Sequence, residues 1–130
     1  MIDAYQAISF TQTVGSLSVK NNTISQTSGD GVQFFMYQGG NAAWNIENNR
    51  FNALGGYAAL IGTNATPGVH SDICVTFNNN IAYPISVFGG GTYNLSNTGN
   101  TGTFTLNPPI GNIGNFTDYT ATGVVTGTCP

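Results

Sequence analysis

Charge is what this chain has least of. Asp, Glu, Lys and Arg make up 5% of its 130 residues, against roughly a quarter in ordinary soluble domains. Lys20 and Arg50 are its only fixed cations, and the formal net charge is -3. Nucleic-acid grooves and anionic membrane surfaces are met by clustered Lys and Arg, so neither partner is expected. No run approaches the 18 or so uninterrupted apolar residues of a membrane-spanning helix, and no membrane insertion is expected. The opening "MIDAYQAISF" has an acid where a signal peptide has basic residues, and it lacks an apolar h-region. Histidine and cysteine are scarce as well. His70 stands alone, Cys74 and Cys129 form no CxxC, and so no metal site and no cofactor are expected.

What is present argues for a packed β fold. Hydrophobic residues make up 40% of the chain and aromatics 12%, too many for a disordered segment. The polar remainder is Asn, Thr, Gly and Ser, residues of tight turns and solvated strand faces. No window carries an apolar stripe of helical period, and 18 glycines with 5 prolines would break one.

Paired asparagines organise the chain. Leu17-Ser-Val19-Lys-Asn21-Asn22-Thr-Ile24 aligns over Trp44-Asn-Ile46-Glu-Asn48-Asn49-Arg-Phe51, 27 residues later. Val75, Phe77 and Asn79-Asn80 follow at a further 31 residues, with one slip expected in what comes after. Such periods signal stacked units that cannot bury an apolar face alone. Each unit opens on period-2 alternation, so the repeated element is a strand. Asparagine tolerates the left-handed backbone that a sharp corner requires. Stacked corner amides can also bond from rung to rung. Asn21, Asn22, Asn48, Asn49, Asn79 and Asn80 are therefore read as structural corners. Leu17, Val19, Ile24, Trp44, Ile46, Phe51, Val75 and Phe77 are expected to face inward.

The two cysteines admit two readings: separate thiols, or a bridge stapling the C-terminal tail to the body. The bridge is favoured. It closes a 55-residue loop, for which chain entropy gives about 4 kcal/mol, and it implies an oxidising compartment. If Val75 and Phe77 face the core, Cys74 faces outward and the tail crosses the outside. If Cys74 points inward, the tail folds over the end. Export without an export signal suggests that Met1 is an artificial start on a fragment of a longer secreted protein.

The stretches "LSVKNNTISQTSGDGVQF", "WNIENNRFNALGGYAAL" and "ICVTFNNN" resemble the right-handed parallel β-helix of the pectin-lyase-like superfamily. More narrowly, residues 74 to 129 resemble the C-terminal end of large bacterial surface β-helix proteins. The marks are Cys74, the corner Asn78 to Asn80, the stretch Thr92 to Leu106, and Gly127-Thr128-Cys129. The resemblance implies a short all-β coil of about three to four rungs over residues 1–90, closed by a disulfide-pinned capping segment over 91–130, in one domain. The same plan carries lyases, tailspikes, adhesins and inert stalks, so it implies a fold more than an activity.

The acid–base inventory is small: Asp3, Asp30, Asp72, Asp118, Glu47, Lys20, Arg50 and His70. Lys20 and Glu47 fall on successive rungs, where they read as a surface salt bridge worth at most about 1 kcal/mol. Asp30, within Gly29-Asp30-Gly31, reads as a turn residue. No catalytic residues are assigned. Phe35 and Tyr37 alternate with Phe34 and Met36, so one pair must project outward, where it could contact a glycan or a partner. Four N-x-S/T sequons begin at Asn21, Asn64, Asn94 and Asn115; about three arise by chance at this composition, so they carry no weight. The first rung would expose unpaired backbone and core, inviting self-association by head-to-tail stacking or as a trimer. The expected function is a non-catalytic structural or adhesive end module of an extracellular or cell-surface bacterial protein or filament. The alternative is a carbohydrate-active β-helix, a phage tailspike or polysaccharide lyase fragment.

Overall fold

Alternation of inward and outward residues marks most of the strands, and paired polar corners bend them into a coil. The computed structural model describes residues 7–25, 28–52, 55–83, 91–117 and 123–129. Among these the chain is all-β, a parallel β-solenoid of about four turns with no helix. The first turn is β1 (Ile8–Thr11), β2 (Gly15–Lys20) and β3 (Thr23–Ser25). The second is β4 (Val32–Met36), β5 (Gly40–Glu47) and β6 (Arg50–Asn52). The third is β7 (Ala59–Val69), β8 (Ser71–Asn78) and β9 (Ile81–Ala82). The fourth holds β10 (Thr92–Asn100) and β11 (Phe104–Asn107), with Ile113 bridged to Ile81 in place of a third strand. Beyond it, β12 (Asn115–Thr117) and β13 (Val124–Thr126) extend the first two sheets.

Three sheets result, ordered β1-β4-β7-β10-β12, β2-β5-β8-β11-β13 and β3-β6-β9, and all their pairs are parallel. Leu17 lies opposite Trp44, Val19 opposite Ile46 and Ile24 opposite Phe51, the register expected from the asparagine pairs. Trp44 lies opposite Val75 and Ile46 opposite Phe77. The expected slip does not occur. Arg50 and Phe51 lie opposite Ile81 and Ala82 at the same offset, because the Asn79 corner keeps the geometry of the Asn48 corner.

Seven of the eight expected core residues are buried; Leu17 is half-buried. Leu17 sits on β2, an edge strand with no turn stacked beyond it among the described residues. At the other end the core narrows. The inward positions of the third sheet run Ile24, Phe51, Ala82 and then Gly114. A Cβ at Gly114 would meet the Tyr93 ring at 2.9 Å and the Ala82 methyl at 3.1 Å. Tyr93 fills that space. Its ring centroid lies 4.9 Å from both Phe77 and Phe116, and its hydroxyl donates to the Ile113 carbonyl at 2.6 Å. Burial pushes its phenol pKa upward.

In β8, Ser71, Ile73, Val75 and Phe77 face inward while Asp72, Cys74 and Thr76 face out. Cys74 is therefore an outward residue, and the tail crosses the outside of the sheet. Cys74 and Cys129 are joined by a disulfide with Cα atoms 5.6 Å apart, within the usual span of such bridges. Of the two valines of the tail, Val124 lies opposite Phe104 and is buried, whereas Val125 remains exposed.

Candidate functional site

Four stacked corners form a continuous hydrogen-bonded polar ladder. Asn21, Asn48, Asn79 and Gly111 adopt left-handed backbones, with φ of 61°, 55°, 53° and 70°. The residue after each one turns its amide into the stack. The Asn49 oxygen Oδ1 accepts from the backbone N–H and the Nδ2 of Asn22, both at 3.1 Å. Asn80 accepts in the same way from Asn49, at 3.1 and 3.0 Å, and Asn112 from Asn80, at 3.0 and 3.1 Å. The Nδ2 groups of Asn49, Asn80 and Asn112 also donate to the carbonyls of Val19, Ile46 and Phe77. Asn49 and Asn80 are almost fully buried. Water does not reach these amides, so the ladder satisfies what burial would otherwise orphan.

The two asparagines of each pair thus do different work. The first supplies a left-handed φ and the second supplies the hydrogen bonds. This explains why the fourth corner escapes a search for asparagine pairs. Gly111 takes the first position, where glycine serves as well as asparagine, and Asn112 keeps the second. The signal available in the sequence is Gly111-Asn112-Ile113 beside Asn79-Asn80-Ile81. A second polar cluster has no such signature. Asn100 bonds the backbone N–H and carbonyl of Ser71 and the Asn97 oxygen, while Thr63 donates to Asn97.

The described acidic side chains are all engaged. Lys20 and Glu47 lie opposite each other and pair at 2.7 Å, with Asn78 next in line. Asp30 accepts from the Tyr57 N–H at 2.8 Å; burial raises its carboxyl pKa and that bond opposes the rise. Asp72 accepts from the Thr103 hydroxyl at 2.9 Å and its N–H at 3.2 Å, and meets His70 at 3.1 Å. The Thr103 hydroxyl, then its N–H, then His70 hold the Asp72 carboxyl below its usual range. Asp3 and Asp118 lie outside the described residues. Among the described residues no three His, Cys, Asp or Glu side chains gather to hold a metal ion.

Two outer surfaces could meet a ligand. On the first sheet, Phe34 and Met36 are buried while Phe35 and Tyr37 project outward, as one of the two possible alternations requires. Their rings are 5.6 Å apart and 14° from parallel. Gln12, itself at φ 57°, anchors the segment: its oxygen accepts from the N–H groups of Tyr37 and Gln38, and its Nε2 donates to the Gly39 carbonyl. Phe35 lies opposite Gly62, which sets no side chain directly beside the ring. On the second sheet an open groove of about 570 Å³ runs across the strands. Ser16, Ala43, Cys74 and Thr105 stack along it, with Asp72 and Thr103 on its border. Small side chains on successive rungs create it, and no single motif announces it.

No protein-family model, curated protein or solved structure matches this chain.

Proposed function

We propose that this chain is a non-catalytic structural or adhesive end module of an extracellular bacterial surface protein or filament, built on the β-helix plan of the pectin-lyase-like superfamily. The observation that carries this reading is the closed C-terminal end. Tyr93, Phe77 and Phe116 plug the core there, Gly114 gives them room, and the tail is stapled across the outside by Cys74–Cys129. A disulfide of this kind persists in an oxidising compartment, which fits a surface location. The buried amides support the same reading, because they bond to neighbouring rungs rather than point at a cleft.

Incubation with a panel of acidic and neutral polysaccharides should release neither reducing ends nor unsaturated products. Turnover that disappears in Glu47→Gln would contradict the proposal and favour the carbohydrate-active alternative. A binding role without cleavage is compatible with the module. The outward pair Phe35 and Tyr37, held by Gln12, favours a neutral glycan over a charged one, since the strands of the first sheet around it carry no charged side chain.

A further inference from the structure

We infer that the N-terminal face of the coil, the edge of β1, β2 and β3 that no strand pairs among the described residues, is a joint, and that in the isolated chain a second copy fills it through a two-fold, open-face-to-open-face contact. The inference rests on the reading of the chain as an end module, whose one open face is the place where it joins something else.

The asparagine ladder has a direction. Every inward amide from Asn49 onward receives two N–H donors from the preceding rung, whereas the Asn22 oxygen accepts none among the described residues. Both Nδ2 hydrogens of Asn22 are occupied, by the Lys20 carbonyl and Asn49. An acceptor therefore faces outward at a site that the coil fills with donors everywhere else. The apolar packing breaks at the same plane. Ile8, Phe10 and Leu17 are half-buried, while the residues opposite them, Val32, Phe34 and Trp44, are at most 1% exposed.

Exposed sheet edges are normally protected by proline, bulges or charge. From Ala7 to Ser25 there is no proline, and the one charged side chain, Lys20, is drawn back to Glu47. The opposite end has Pro108 and Pro109 before its last corner, the aromatic plug and the stapled tail. Head-to-tail stacking would place the open face on that closed end. There, among the described residues, the third sheet ends at Ile113 while the other two continue to β12 and β13, so the first turn could not pair with all three. Two open faces suit each other better. An edge strand pairs with itself antiparallel about a two-fold axis, each N–H meeting a carbonyl, and the contact closes at two copies. Lys20, the one charge on this edge, is held by Glu47, so the contact brings no unpaired like charges together.

The test is sedimentation of the intact chain over a concentration series, beside the double variant Ser16→Lys/Ser18→Lys. Both serines are exposed on the β2 edge, so the lysines restore the missing edge protection without entering the core. The wild type should pass from one mass to twice that mass and stop. The double variant should remain monomeric at all concentrations, with the melting temperature of the dilute wild type. A wild type monomeric throughout, growth beyond two copies, or a double variant that dimerises as well as the wild type would each overturn the inference. Activity in the polysaccharide panel would remove the end-module reading without altering these masses, so the two failures are distinguishable.

Discussion

Replacing Asn49 with leucine should lower stability by about 1–3 kcal/mol, since it leaves the part-buried Asn22 N–H without its acceptor. It also takes the Asn49 Nδ2 donor away from the Val19 carbonyl and the Asn80 oxygen. Leucine is close in volume, so the loss would come from hydrogen bonding and not from a cavity. The neighbouring position should respond in the opposite way. Asn48→Gly should change stability little, because what that site needs is a φ near 55°, which glycine adopts without strain. Asn49→Gly should fail as Asn49→Leu does. Denaturant midpoints of the three variants measure the contrast. Equal losses at positions 48 and 49 would contradict the division of labour between the two asparagines. The molecule makes the tolerated exchange itself at its fourth corner, where Gly111 precedes Asn112.

Removing the staple should cost more. Cys129→Ser, or reduction of the wild type, should cost about 4 kcal/mol on the chain-entropy estimate for a loop of this length. The loss should begin locally. β13 is three residues long and pairs only with β11, so an untied tail would fray and uncover Phe104 and Leu106. Alkylation of the folded protein without reductant should label neither cysteine. Two labelled cysteines, with a melting temperature indifferent to reductant, would contradict both the staple and the extracellular reading.

Why was one sheet legible in the sequence and another not? The corner between β2 and β3 repeats as Asn-Asn, and a residue pair that cannot be varied freely leaves a visible period. Those pairs set the registers of Leu17, Val19 and Ile24 against the next rung. The first sheet has no such mark. Its partners Phe10, Phe34, Ile61 and Leu95 are merely apolar, and any register that buries them looks equally good on paper. The orientation of Cys74 was undetermined for the same reason, since alternation states which residues share a face but not which face is inside. The burial of Val75 decides it. The half-exposed Leu17 follows from being first in the stack, which no local pattern records. The aromatic plug joins Tyr93 to Phe116 across 20-odd residues of Gly-, Asn- and Pro-rich chain, a contact that arises only when the coil closes.

The corner amides hold the rungs in register. Hydrogen exchange should show the Asn22, Asn49 and Asn80 backbone N–H groups, each donating to the amide oxygen of the next rung, among the slow amides of the chain. Asn49 and Asn80 should open only with global unfolding. Exchange of those two at the rate of exposed loop amides would mean that the rungs do not stack on their asparagines.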